Sequence, residues 1–150
     1  MRHRFIYPTI VALLLGIVAT AAAIKSHNDA RLAANTLVTD VSQTVLVNWD
    51  PDLILKNAHA SLLEVSDANF YQTYFNALRR LGTLETLDEA SFTLDLPPFW
   101  KFWDTNASTA SYTLKATFSE GDANITIRLL REDGRWWFTE YLVLTALMAA

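Results

Sequence analysis

The chain has no cysteine, and among its 150 residues only four glycines, four prolines and three histidines. Without thiols it can build neither a disulfide scaffold nor a thiolate metal site, it cannot be a lipoprotein, and it needs no oxidation after export. So few glycines and prolines leave no low-complexity tract and no flexible linker. Basic residues are the minority, 12 against 16 acids for a net charge of −4, which disfavours nucleic acid as a partner. Apolar residues, by contrast, make up 51% of the chain, including eight Phe, five Trp and five Tyr. That content excludes disorder, and the length suits one globular domain.

The charged residues are absent from one place in particular. After Arg2 and Arg4, residues 5–24 carry no ionisable side chain except the phenol of Tyr7. Twenty helical residues rise about 30 Å, the hydrocarbon thickness of a bilayer. The segment is also built like a signal peptide, with a basic start, an apolar stretch over residues 10–19 and small residues at Ala19, Thr20, Ala21, Ala22 and Ala23. A retained anchor and a cleaved leader are both open. Either one exports the rest, residues 25–150, with the N-terminus held in the cytoplasm, although Lys25 and Arg31 on the far flank weaken the charge bias. The expected location is the bacterial inner membrane with the domain facing the periplasm, or the periplasm or exterior after cleavage. Beyond residue 24, ten basic residues face sixteen acids, a net −6, so this body is not drawn to anionic lipid by charge.

Helical spacing dominates the first half. Ala30, Ala34, Leu37, Val38, Val41 and Val45 recur at three- and four-residue steps, which predicts an amphipathic helix, although the β-branched run over residues 36–47 also alternates tolerably as a strand. Asp50 before Pro51 predicts a capped helix over residues 51–57. Ser66 is the expected cap of a third helix, with Asp67 near its positive end. Phe70, Tyr71, Tyr74, Phe75, Leu78 and Leu81 form its apolar face, and Gly82 is its left-handed stop.

After Gly82 the period changes to two. Phe92, Leu94 and Leu96 alternate with polar residues, as do Tyr112, Leu114, Ala116 and Phe118, and then Ile125, Ile127 and Leu129. Turns are expected at residues 119–122 and at Asp133-Gly134, a pair suited to a tight hairpin because both central residues take positive φ. Residues 105–109 form an expected loop. Residues 136–147, apolar almost throughout, predict a strand covered on both faces, and adjacent Trp136 and Trp137 should point to opposite sides. Helices followed by a meander of about four antiparallel strands make an α+β fold.

This order of elements, with Asn48, Trp49, Asp50 and Pro51, the helix end at residues 77–82, the strands at 112–118 and 123–129, and the closing residues 133–136, resembles the small bacterial domains of the NTF2-like (cystatin-like) superfamily. The resemblance covers roughly residues 30–147. It implies a curved antiparallel sheet wrapped around helices with a cavity between them. It leaves function open, because members include enzymes, ligand binders and membrane-tethered assembly subunits of secretion machines.

Chemistry-bearing residues are sparse. His59 stands alone after the short helix and is expected to cap or to lie at the surface rather than catalyse. Asp50, Asp52 and Asp67 are explained by helix starts, Asp122 and Asp133 by turns, and Asp104 and Glu132 by loops. Glu140 falls between Phe138 and Leu142 on what the alternation makes the inward side of the last strand. There it should pair with Arg128 or Lys115, act as a perturbed buried acid, or mark an exposed strand end. No Ser-His-Asp arrangement, Walker loop, dinucleotide glycine pattern or His-x-x-x-His zinc spacing occurs, so no catalytic residue, metal or cofactor is expected.

One cluster remains unexplained by folding alone. Phe99, Trp100, Phe102 and Trp103 follow Pro97-Pro98, and four large aromatics in five positions cannot all face inward from a short loop. They are candidates for contact with a protein partner or the membrane, or for a lid over the domain's own core. The expected function is that of a non-catalytic membrane-tethered accessory or assembly subunit that binds a protein. The alternative is an exported pocket protein holding a small apolar ligand.

Overall fold

A computed structural model describes the backbone of residues 6–88, 90–95 and 108–146, and the side chains from residue 15 onward except that of Asp95. Its elements are α1 (Ile6–Asn48), α2 (Asp52–Lys56), α3 (Ala60–Val65), α4 (Ala68–Leu78), a 3₁₀ turn (Arg79–Leu81), β1 (Leu84–Leu87), β2 (Ser91–Asp95), β3 (Ser108–Phe118), β4 (Gly121–Glu132) and β5 (Arg135–Thr145). The chain forms two compact units, residues 1–33 and 34–150. In the first, described side chains such as Leu15, Ile17, Val18 and Ile24 are exposed. Among the described residues no helix is long and apolar enough to cross a membrane. The side chains of residues 1–14, which carry much of the expected anchor, lie outside the described residues.

The second unit is α+β. Residues 34–48 are helical, which decides the ambiguous β-branched run in favour of helix, with Ala34, Val38, Val41, Val45 and Leu46 buried. Trp49 ends the helix at φ 54°, a conformation that a bulky residue holds only when its surroundings enforce it. Here they do. The indole packs on Phe118 at 4.9 Å between ring centroids and on Phe75 at 6.4 Å, and its Nε1–H donates to the Gly82 carbonyl at 3.0 Å. Asp50 Oδ1 accepts the Asp52 N–H at 3.0 Å, but α2 starts one residue later than expected, with Pro51 at its N-cap and no side-chain cap there.

The cap of α4 differs by one residue from expectation. Asp67, not Ser66, accepts the Phe70 N–H at 2.8 Å, while Ser66 closes α3. The helix α3 itself is not anticipated by sequence spacing. On α4, Tyr71, Phe75 and Leu78 are buried and Leu81 follows in the 3₁₀ turn, whereas Phe70 is exposed. Gly82 terminates this run at φ 82°, packed so closely on the β3–β4 turn that an added Cβ would collide with Ser119 Oγ.

The sheet is antiparallel and has five strands rather than four, ordered β1-β3-β4-β5, with β2 also pairing with β3. The additional strand is β1, and Ser108 and Thr109, expected in a loop, belong to β3. β3 and β4 pair without interruption from Ser108↔Arg131 to Phe118↔Gly121. One face buries Ala110, Tyr112, Leu114, Ala116 and Phe118 with Ala123, Ile125, Ile127 and Leu129, as the alternation predicts. Asp133 (φ 51°) and Gly134 (φ 77°) make the β4–β5 turn in the expected positive-φ conformation.

β5 departs from simple alternation. Its register slips between Leu129↔Phe138 and Arg128↔Glu140, leaving Thr139 as the extra residue of a bulge. The Thr139 hydroxyl donates to the Arg128 carbonyl at 3.2 Å. Trp136 and Phe138 are buried before the bulge, and Tyr141 and Val143 after it. The bulge thereby shifts the phase by one residue and turns Glu140 and Leu142 to the other face. That corrects two expectations: Glu140 is not an inward acid, and the strand is fully covered on one face only.

Candidate functional site

Among the described residues β5 is an edge strand, and side chains and a loop engage its outward backbone at Phe138, Tyr141 and Val143. Asn57 and His59 bracket Phe138: the Phe138 N–H donates to the Asn57 carbonyl and the His59 N–H to the Phe138 carbonyl, each at 2.8 Å. The Tyr74 hydroxyl accepts the Val143 N–H at 2.8 Å and donates to the Val143 carbonyl at 2.5 Å. The Tyr71 hydroxyl reaches the Tyr141 carbonyl at 3.5 Å. Burial pushes the Tyr71 phenol up to about 12, helped by the nearby Tyr74 and Glu140 and opposed by its bond to the Tyr141 backbone. Burial likewise raises Tyr74 against its bond to Val143. Tyr141 is raised too, chiefly by burial, with the adjacent Ser42 hydroxyl opposing. All three phenols stay protonated, and those of Tyr71 and Tyr74 act as neutral hydrogen-bonding groups.

His59 sits at this same edge. Its Nδ1 accepts the Ser61 N–H at 3.2 Å as the N-cap of α3, and its Nε2 lies 3.2 Å from Glu132 Oε2. The cap requires a bare Nδ1, which places the proton on Nε2, facing the carboxylate. Beside it Arg135 donates to Asn57 Oδ1 at 2.9 Å and lays its guanidinium 4.0 Å above the Trp137 ring. His59 is therefore a capping residue with a structural carboxylate partner. That partner was invisible in sequence because it lies 73 positions away.

Glu140 pairs with Arg128 at 3.1 Å across the β4–β5 ladder, its side chain 33% and that of Arg128 63% exposed. Of the two basic partners expected, Arg128 is the one that faces it, and solvent rather than a desolvated interior surrounds the pair. Among the described residues no three His, Asp or Glu side chains are grouped to hold a metal ion. Phe99, Trp100, Phe102 and Trp103 lie outside the described residues.

The feature that sequence reasoning missed is the corner between α3 and α4. Leu63 is 43% exposed, Val65 85% and Phe70 52%. Three large apolar side chains thus stand in solvent within eight positions. Phe70 stacks on Tyr74 with a 10° interplanar angle, so its ring is held in place rather than free. The reason is geometric. A six-residue helix with one buried position, Leu62, cannot turn Leu63 and Val65 inward as well, and α4 buries Tyr71, Phe75 and Leu78 rather than Phe70. The sequence signal was present as a surplus, since residues 62–65 carry more apolar side chains than so short a helix can cover.

No family model, curated protein or solved structure matches this chain.

Proposed function

We propose that this protein is a non-catalytic accessory or assembly subunit of the NTF2-like kind. Its N-terminal segment tethers it to the bacterial inner membrane, and its folded domain binds a protein partner on the periplasmic side. The observation that carries this reading is the exposure of three large apolar side chains, Leu63, Val65 and Phe70, in the consecutive helices α3 and α4. Exposed large apolar side chains supply contact area for a partner where they meet in one patch. Three further features support it. His59 and Glu140 are both engaged by structural partners. The leader has the length, composition and basic start of an export segment. A tether confines the domain near membrane-bound partners and raises its effective concentration there.

The test is site-specific photo-crosslinking in intact cells, with the photoreactive side chain placed at Val65 or, as control, at Lys115 on the exposed face of β3. A discrete adduct to another protein from Val65 but not from Lys115, in the membrane fraction, is the expected result. Equal labelling from both positions, or recovery of intact chain among cytosolic solutes, would overturn it.

A further inference from the structure

At the start of α3 the fold brings a serine, a histidine and a glutamate into one hydrogen-bonded line. The Ser61 hydroxyl lies 2.8 Å from His59 Nδ1, and His59 Nε2 lies 3.2 Å from Glu132 Oε2. With the proton on Nε2 facing the carboxylate, Nδ1 is bare and the Ser61 O–H donates to it. The imidazole is held from two sides: the His59 N–H donates to the Phe138 carbonyl at 2.8 Å, and Glu132 reaches the ring from the end of β4. The hydroxyls of Thr20, Thr44 and Thr139 donate instead to backbone carbonyls, which do not act as bases. Ser61 is exposed, so its oxygen can be reached from solvent. A hydroxyl on a base that is itself oriented by a third group is the arrangement that activates a weak nucleophile. We propose that Ser61 is a modification site, a serine whose Oγ is acylated by activated esters.

In that step Ser61 Oγ attacks the carbonyl carbon of the ester while its proton passes to His59 Nδ1. The Nε2–H bond to Glu132 steadies the imidazolium so formed. The tetrahedral adduct then collapses. The bond from the carbonyl carbon to the leaving oxygen breaks, the alcohol departs with the proton from Nδ1, and the acyl group stays on Oγ. No oxidant or reductant is involved. The cost is the helix cap: the Ser61 N–H, 3.2 Å from Nδ1, gives up its acceptor while the ring is charged, and water replaces it because Ser61 is exposed. The chain accepts one acyl group and turns nothing over, in keeping with a non-catalytic role. Such a site is independent of protein binding by α3 and α4, and either can fail without the other.

The experiment treats the full chain, in nanodiscs of uncharged zwitterionic lipid, with p-nitrophenyl acetate and follows acetylation residue by residue by peptide mass spectrometry. Ser61 should be acetylated roughly a hundredfold faster than Ser111, an exposed serine on β3. Ser61→Ala should remove that fast adduct. His59→Asn supplies another good N-cap in place of the base, so it should bring Ser61 down to the Ser111 rate while leaving the helical circular dichroism and the thermal unfolding midpoint in place. Glu132→Gln should slow Ser61 severalfold. Acetylation of Ser61 no faster than of Ser111, an unchanged rate in His59→Asn, or an acetyl group found on the His59 ring in place of Ser61 would each overturn the inference. Crosslinking at Val65 is read separately, so loss of the serine chemistry leaves the protein-binding reading standing, and failure of the crosslink leaves Ser61 to its own result.

Discussion

The two edges of the sheet solve one problem in different ways. An edge strand offers a row of unpaired N–H and C=O groups to any passing strand. On one side β5, eleven residues long, is engaged from outside at three positions: Asn57 and His59 take both backbone groups of Phe138, Tyr74 takes both of Val143, and Tyr71 reaches Tyr141. On the other side the edge is divided between β1, four residues, and β2, five residues, each pairing with a different part of β3. Brevity limits one edge, and covering hydroxyls and backbone limit the other. The covered edge depends on phenols that remain protonated, so the two edges differ in what can undo them.

Alkali should produce the largest contrast. Tyr71, Tyr74 and Tyr141 all have phenols raised above their ordinary value, and residues 84–95, which form β1 and β2, contain no tyrosine. A phenol raised in the folded state stabilises fully below the unfolded value near pH 10, because there it is protonated in both states. Above that value the unfolded chain loses its proton first, so stability falls as pH climbs, with the Tyr71 contribution gone as pH passes about 12. Circular dichroism and tyrosinate absorbance followed together should show these phenols ionising in step with unfolding. Smooth ionisation of every tyrosine near pH 10 with the fold intact would break the comparison.

A smaller effect is expected from single hydroxyls. Tyr74→Phe removes one group that both accepts from and donates to Val143, and should cost about 1–3 kcal/mol by chemical denaturation, with faster hydrogen exchange at the Val143 amide. Tyr112→Phe, on the central strand β3, removes one bond to Asn35 Oδ1 at 2.7 Å and should cost about 0.5–1.5 kcal/mol without altering exchange at Val143. Matching costs and matching exchange profiles would show that Tyr74 does not seal the edge.

The smallest effect belongs to Glu140. Its pair with Arg128 is substantially exposed, and Glu140→Gln should change stability by less than about 1 kcal/mol. A loss of several kcal/mol would mean that the carboxylate answers a buried charge, and that the bulge at Thr139 does not set the phase of β5.

Much of this was legible in local pattern. The alternation of residues 110–118 and 123–129, the positive-φ pair Asp133-Gly134, the stop at Gly82 and the opposite facing of Trp136 and Trp137 each follow from periods or backbone preferences confined to a few neighbours. The candidate site was less legible for a specific reason. One extra residue at Thr139 inverts every later face of β5, and alternation cannot reveal it because Phe138, Tyr141, Leu142, Val143 and Leu144 are apolar in either phase. In the same way, His59 could be recognised as a cap from composition alone, while its carboxylate depended on a hairpin formed far along the chain.

By itself, then, the amino-acid order determined the change from helical to strand spacing after Gly82, the β3–β4 alternation and the acidic balance of the chain, because these depend on composition and on spacing between near neighbours. Only the tertiary structure decided which apolar side chains stay wet at Leu63, Val65 and Phe70, which hydroxyls close the β5 edge, and which way Glu140 points. Those outcomes depend on how much surface each short helix can bury and on contacts between residues some seventy positions apart, and neither is written in any local window.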